Sequence, residues 1–280
     1  MTAPESRLKG AGGRAGGRAE PAGAGEPAEI VWASTPTAAE ASASRPTEVG
    51  SAKAEASAST PSAAEASAST PSAAEASDRW VEAAGVTHRF PGTQQLFPPL
   101  DFRFLPGEVI GVCGPSGCGK STLLSILAGW VTPEQGRLTL HGIEHIGWVF
   151  QNPQGLPART ALDHVVFPLL ARGSSRAEAE DEALAIMALF RIDQLAARRF
   201  GDISGGEAQR LMLARAVATG SDLLLVDEPT AQLDLATAAT VNRTLANLAA
   251  GGSIVVIATH DPQTRASCTR VLDLAARVAA

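Results

Sequence analysis

Short apolar runs alternate with longer helix-like segments through the last two hundred or so residues of the chain. The run EVIGVC, at Glu108–Cys113, is continuously apolar apart from its first residue and is bounded by turn residues, which predicts a buried strand. IGWVF from Ile146, DLLLV from Asp222 and SIVVIAT from Ser253 predict three further strands. This alternation is typical of an α/β fold with a mainly parallel sheet and crossover helices.

Helix-like patterns fill the intervals between these strands. In STLLSILAGW, at Ser121–Trp130, apolar residues recur at helical spacing, so the glycine-rich stretch before it lies at a strand-to-helix turn. Helix formers such as RAEAEDEALAIMALF dominate 161–200, which predicts a helical insertion at about 152–203. GDISGGEAQR then begins at Gly201 with turn residues and leads into another helix.

The first 78 residues have a different composition, dominated by Ala, Ser, Glu, Gly, Pro and Thr. Apart from a cluster at 30–32, few apolar side chains are available to offset the entropy of ordering the backbone, so we predict a disordered tail at 1–78 and one domain at 79–280. The decapeptide EASASTPSAA occurs at 55–64 and 65–74. Solenoid units need about 20 residues and an apolar face, so a low-complexity linker is the better interpretation. The alternative is that part of the tail precedes the true translation start.

Bulk properties narrow the class of protein. The 280 residues carry a net charge of −6 without a basic stripe, so nucleic acid is not an expected partner. The chain has no apolar window long enough to span a membrane and no apolar core of a signal peptide, so we expect a cytoplasmic location. Its three cysteines follow no metal or disulfide pattern.

The stretch GPSGCGKS, at Gly114–Ser121, satisfies G-x-x-x-x-G-K-[ST] directly after a predicted strand. Glycines let backbone N–H groups turn toward phosphate oxygens, and the helix N-terminus adds a positive dipole end. Lys120 is a compact charge that can reach the β- and γ-phosphates, and Ser121 can give its hydroxyl to Mg²⁺. The plain alternative is a glycine-rich turn with an accidental lysine.

A second motif is LLLVDEP, at Leu223–Pro229, an apolar strand that ends in two acids. Asp227 can hold Mg²⁺ through its water shell, while Glu228 can accept a proton from a water that attacks the γ-phosphate. The structural alternative is that both acids are ordinary solvated strand ends.

The third motif is ISGGEAQR, at Ile203–Arg210. In this order and spacing, the three motifs resemble the nucleotide-binding subunit of an ATP-binding cassette (ABC) transporter, over roughly Trp80 to the C-terminus. The resemblance implies a P-loop core with an antiparallel β subdomain and an inserted helical subdomain, and ATP with Mg²⁺ as ligands. The motif departs mildly from the commonest form, with Ile203 in place of leucine and Glu207 in place of glutamine.

The resemblance also implies roles for single residues. Phe90 matches the aromatic residue that stacks on adenine, although tyrosine is commoner there. Gln151 matches the glutamine that contacts the metal, Asp234 ends the loop that crosses a dimer interface, and His260 matches the histidine at the γ-phosphate. The implied catalytic residues are Glu228, His260 and Gln151, and the implied metal ligands are Ser121, Gln151 and Asp227. The implied nucleotide contacts are Phe90, Gly114, Pro115, Ser116, Gly117, Cys118, Gly119, Lys120, Ser121, Thr122, Ser204, Gly205, Gly206, Glu207 and Asp234.

A head-to-tail dimer of two nucleotide-binding subunits follows from the same resemblance. ATP at Lys120 of one subunit is closed over by Ser204–Gly206 of the other. A separate transmembrane permease is expected to dock at LPARTALDHVVFPLL, at Leu156–Leu170, which would place the protein at the inner face of the cell membrane.

Several alternatives stay open at this point. A non-transport ABC ATPase usually carries two cassettes or coiled-coil or zinc insertions, which the sequence lacks. Among transporters, SGGEAQR, DEPTAQLD and HVVFPLL resemble the lipoprotein-releasing and macrolide-exporting group. The connection from Lys120 to Gln151 is short for that group, which keeps nitrate- and taurine-type importers as the alternative.

Overall fold

The computed structural model describes residues 29–33, 78–231 and 233–275. Within these residues the chain forms two β-sheets and six α-helices. The strands are β1 (Glu29–Ala33), β2 (Trp80–Thr87), β3 (Leu100–Phe104), β4 (Val109–Cys113), β5 (Gln135–His141), β6 (Ile146–Val149), β7 (Leu223–Asp227), β8 (Ile254–Ala258) and β9 (Arg270–Asp273). The helices are α1 (Lys120–Leu127), α2 (Ala161–Ala171), α3 (Arg176–Leu189), α4 (Gly205–Thr219), α5 (Leu235–Ala250) and α6 (Pro262–Ser267).

The larger sheet has five strands in the order β6-β7-β8-β4-β9, and every neighbouring pair is parallel. Its central strands are continuously apolar because apolar layers cover both faces. Along β7, Leu224 and Val226 face a core shared with α2 to α5, while Leu223 and Leu225 face a core shared with α1 and the smaller sheet. The predicted α/β class with a parallel sheet is therefore confirmed.

The smaller sheet has the order β1-β5-β2-β3. Strands β5, β2 and β3 pair antiparallel, as expected for the β subdomain. In β3, buried residues alternate with exposed ones, the pattern of a strand with one face on the core and one face in water. This sheet lies beside α1 and covers the strand that precedes the glycine-rich loop.

Strand β1 departs from the prediction of a disordered tail. Residues 29–33 pair parallel with β5, from Glu29 opposite Arg137 to Ala33 opposite His141, and Ile30 packs against the core. The reason is physical: EIVWA is the one β-prone apolar run of the tail, and β5 offers an unpaired edge. The predictions for 1–28 and 34–77, including the decapeptide repeats, lie outside the described residues.

Three capped helices follow one another in the chain between β6 and β7. Thr160, Ser175 and Ser204 begin α2, α3 and α4, and each forms a capping box with the acid three residues later. These helices pack on one another around a shared apolar core. None of the helices among the described residues has the length and hydropathy needed to cross a bilayer.

Candidate functional site

The site lies at the carboxyl ends of four adjacent parallel strands. The glycine-rich loop follows β4, Glu228 follows β7, His260 follows β8 and Gln151 follows β6. Parallel strands present their carboxyl ends at one edge of a sheet, which is where ligands bind in open α/β folds. The sheet order therefore brings together segments that are far apart in the sequence.

The loop between β4 and α1 depends on its glycines. Gly114 and Gly119 have φ values of 146° and 98°, which disfavour other residues. A Cβ atom on Gly119 would lie 2.9 Å from the Phe97 ring, and one on Gly114 would lie 2.6 Å from Sγ of Cys118. No side chain caps α1 and its first turn has no acid, so its terminal N–H groups remain available to an anion.

Lys120 places a positive charge across this loop. Its Nζ donates hydrogen bonds to the carbonyl oxygens of Gly114, at 3.0 Å, and Pro115, at 3.2 Å. Cys118 is half-buried and packs against the apolar core beneath the loop. The Cys118 side chain therefore packs below the loop, while the ammonium group of Lys120 contacts the carbonyl oxygens of the loop.

Ser121 and Asp227 bring together two oxygen ligands. The Ser121 hydroxyl donates to Oδ2 of Asp227 at 2.7 Å. Burial raises the pKa of Asp227, while the hydrogen bond from Ser121 and the charge of Lys120 oppose that rise. No group of three His, Cys, Asp or Glu residues among the described residues could hold a metal. One hydroxyl and one carboxylate fit Mg²⁺, which usually completes its shell with water and phosphate oxygens.

Glu228 is held in one position by its neighbours. Its side chain is largely buried, Oε1 accepts a hydrogen bond from Nδ1 of His260 at 2.7 Å, and Oε2 accepts one from the Thr259 hydroxyl at 3.3 Å. Its backbone φ of 48° lies in the left-handed region, which a non-glycine residue occupies at an energetic cost. His260 is mostly exposed, so the pair consists of a buried carboxylate with a fixed orientation and an imidazole ring that faces solvent.

A buried polar network lies behind Glu228 and His260, and it was not predicted from the sequence. Asp261 caps α6, and its Oδ2 accepts hydrogen bonds from the hydroxyls of Thr264, at 2.7 Å, and Thr230, at 3.4 Å. Asn242 donates to Thr264 at 3.2 Å. The network joins the segment after Glu228 to the segment after His260. The signal was present, since aspartate before proline is typical of a helix start.

The remaining residues implied by the resemblance make local contacts. Phe90 follows β2, is 45% exposed and meets His88 edge to face. Gln151 is exposed after β6. His88, which sequence reasoning did not single out, is buried, and neither ring nitrogen has a hydrogen-bond partner within the described residues.

The ISGG segment and the loop before α5 also bond locally. The hydroxyl of Ser204 donates to Oε2 of Glu207 at 2.8 Å. Asp234 caps α5 through the N–H of Thr237, at 3.0 Å. Gln232, in the loop that the resemblance places at a dimer interface, lies outside the described residues.

A second concave surface lies between α2, α3, α4 and the loop after Gln151. Its cavity measures about 590 Å³. Leu156 and Phe167 line it although 64% and 69% of their surfaces are exposed. Three arginines also line it: Arg159, Arg176 and Arg215. We call this surface the α2 groove. It contains the segment in which docking was predicted.

A glycine-rich loop with one lysine, facing an acidic strand end across a parallel sheet, defines a P-loop nucleoside triphosphatase. The sequence profile described as ABC transporter matches residues 97–231. A putative metal-chelate type ABC transporter of solved structure is 30% identical, with a TM-score of 0.61 over 70% of this chain and 80% of that one. The chain belongs to the ABC transporter family.

Other relatives agree with this assignment. A dimeric ATP-binding cassette in a post-hydrolysis state, bound to ADP and Pi, is 29% identical with a TM-score of 0.63, over 69% of this chain and 94% of that one. An uncharacterised ABC transporter ATP-binding protein of Mycobacterium bovis is 40% identical over 62% of this chain and 58% of its own length. A macrolide export ATP-binding/permease protein of Rhodopseudomonas palustris is 38% identical over 62% of this chain and 29% of its own length. The chain thus spans less than two thirds of these two curated relatives.

Proposed function

We propose that this chain binds and hydrolyses MgATP as the nucleotide-binding subunit of an ABC transporter, and that the transporter is of the exporting type. The observation that carries the proposal is the convergence of Lys120, Asp227, Glu228 and His260 at one edge of the parallel sheet.

Binding rests on the glycine-rich loop. Its backbone N–H groups and the uncapped start of α1 attract phosphate oxygens, and Lys120 neutralises part of their charge. Lys120 donates hydrogen bonds to two loop carbonyls, so its side chain is oriented along the cradle. Ser121 and Asp227 would hold Mg²⁺, which supplies charge neutralisation on the phosphates when bound. Phe90, exposed in the loop between β2 and β3, offers a face to the adenine ring.

Glu228 acts as the general base for the attacking water. His260 and Thr259 orient its carboxylate, so one geometry is populated before the substrate arrives. Gln151 lies at the neighbouring strand end, where a polar side chain can contact the metal and transmit the state of the site to the groove-lining loop that follows it.

Closure of the site requires a second copy. Ser204 and the glycines after it begin α4, and the N-terminus of that helix is a second anion site. In a head-to-tail dimer, the phosphate loop of one copy faces Ser204 of the other, which supplies the far side of the site. Hydrolysis removes the charge that bridges the two copies, and the dimer opens.

Complementation between two inactive variants tests this arrangement. Lys120→Ala removes the phosphate charge, and Ser204→Asp keeps the helix cap but repels a γ-phosphate. Each variant alone should release no phosphate from ATP. A mixture should recover about a quarter of wild-type activity, because about half of the dimers are mixed and each has one intact site of two. Mixtures without any gain would refute the head-to-tail site, and activity of either variant alone would refute the role of its residue.

The α2 groove is the expected docking surface for the permease. Its exposed Leu156 and Phe167 offer apolar side chains whose burial would be favourable. Among the described residues, Arg159 and Arg215 form no ion pair within 4.0 Å, so the groove suits an acidic amphipathic helix. Exchange of Phe167 for aspartate should prevent a permease from co-purifying out of detergent-solubilised membranes. The same exchange at Leu189, which is exposed on α3, is the control.

Import is the second candidate direction. One observation favours it: the short connection between Lys120 and Gln151. The co-purified permease distinguishes the two directions. A permease with a large extracytoplasmic domain supports export, and a compact permease with a solute-binding protein supports import.

A further inference from the structure

His164 lies in the first turn of α2 and uses both ring nitrogens. Nε2 is 2.9 Å from the backbone nitrogen of Leu156, and Nδ1 is 2.7 Å from the carbonyl oxygen of Thr160. The amide of Leu156 can only donate, so Nε2 must accept. The carbonyl of Thr160 can only accept, so Nδ1 must carry the proton. The two bonds therefore define one neutral tautomer of His164.

The bond to Leu156 holds the loop that forms one wall of the α2 groove. On its other side, the loop is tied to the segment before α4 by backbone bonds, from Gly201 to Pro157 at 3.1 Å and from Phe200 to Arg159 at 2.9 Å. His164 thus fastens this loop to α2, and Leu156 projects from it into the groove.

Protonation of His164 would break this arrangement. Nε2 would become a donor facing the donor N–H of Leu156, and the ring is only 7% exposed, so water cannot replace the lost bond in place. Either the ring or the loop must then move. Histidine is the side chain that most often changes its charge in mildly acidic conditions, so acid is the condition that tests this arrangement.

The charged groups around His164 give a protonated ring little support. Among the described residues, its neighbour Asp163 is the one acid that lines the groove, and that carboxylate already accepts from the N–H of Thr160 in the capping box. Glu180 on α3 is paired with an arginine. The cations on the elements around the ring are Arg159 in the loop, Arg176 on α3, Arg198 and Arg199 in the segment before α4, and Arg215 on α4.

We infer that His164 is a positioning residue that keeps Leu156 and the α2 groove in shape only while it is neutral, so that docking in this groove weakens in mild acid. The part that concerns docking rests on the proposed function. The part that concerns the loop does not, and it can be measured on the full chain without ATP or permease.

The experiment compares amide hydrogen exchange of Leu156 between pH 7.5 and 5.5, corrected for intrinsic rates, in the wild type and two variants. His164→Gln places an acceptor that does not titrate near the position of Nε2. His164→Asn keeps a donor for Thr160 but is too short to reach Leu156. In the same wild-type samples, NMR of the His164 ring nitrogens gives the protonation midpoint directly.

In the wild type, protection of the Leu156 amide should fall about tenfold on acidification, which is the loss expected for one hydrogen bond. The midpoint of this fall should coincide with the midpoint of ring protonation. His164→Gln should keep its protection at both pH values, and His164→Asn should lack it at both. Three outcomes would overturn the inference. These are wild-type protection that does not change with pH, a midpoint that differs from that of the ring, and a His164→Gln protein that loses protection in acid as the wild type does.

Discussion

Replacement of Glu228 by glutamine tests the assignment of the general base. The variant keeps an oxygen that can accept from Thr259, and its amide can donate to His260 in the other tautomer, so the local structure should persist. What it loses is the ability to take a proton. General base catalysis is worth about 10²–10⁴ in rate. The adjacent Asp227 accepts a hydrogen bond from Ser121, so its carboxylate is not free to replace Glu228 as the base. We therefore expect a loss of about 10³–10⁴, or about 4–5.5 kcal/mol in activation free energy.

Phosphate release at saturating MgATP measures this loss, and light scattering with and without ATP measures dimerisation. The variant should bind ATP and accumulate as the closed dimer, because binding is retained and the step that opens the dimer is blocked. Glu182→Gln, on the exposed face of α3, is the matched control and should behave as the wild type. Turnover of Glu228→Gln within tenfold of wild type, or a variant that stays monomeric in ATP, would refute the reasoning.

Three further predictions follow from the same contacts. Lys120→Ala should abolish ATP turnover, since the charge that neutralises the phosphates is gone; wild-type phosphate release by this variant would contradict the phosphate cradle. Burial raises the pKa of Asp227, so its protonated form persists to higher pH and Mg²⁺ affinity should fall as pH is lowered from 7.5 to 5; calorimetry with ATP present should find less pH dependence in Asp227→Asn, and equal dependence would argue against this role. Deletion of 1–33 should lower Tm by about 2–4 °C for each kcal/mol that β1 contributes, whereas deletion of 1–28 should leave Tm unchanged; equal Tm values would show that β1 adds no stability.

The parts of the fold that could be predicted are those whose signal is local. Strands β4, β7 and β8 are apolar throughout because both faces are covered, so they stand out in the sequence. Strand β9, at Arg270–Asp273, was not predicted because it lies at an edge of the sheet and none of its four residues is buried. Strand β1 was missed for a related reason, since its pairing depends on the edge of β5, a hundred residues away, and nothing in the tail encodes that edge.

The same distinction applies to the candidate site. The glycine-rich loop, Asp227 and Glu228 could be identified because their spacing along the chain carries the chemistry. The Asp261 network and the bond from Leu156 to His164 depend on side chains that only the fold brings together. A pattern of apolar residues at helical spacing predicts that α2 exists, but it does not say which atoms His164 contacts. Those contacts decide whether the histidine has only a structural role or also makes the loop sensitive to pH.

Ser204 shows how one residue can serve the fold and the proposed chemistry together. Its oxygen accepts weakly from the N–H of Glu207, at 3.4 Å, and its hydroxyl proton goes to Oε2 of Glu207, at 2.8 Å. A γ-phosphate from a second copy would compete with Glu207 for the hydroxyl proton, because an anion can only accept, and would not compete for the lone pair that caps α4. The exchange replaces one charged acceptor with another and leaves the helix capped, but the Glu207 carboxylate must turn away as the phosphate arrives, because two anions at one hydroxyl repel each other. Glutamate at this position, where glutamine is commoner, therefore keeps the serine hydroxyl directed to an anion before the dimer closes.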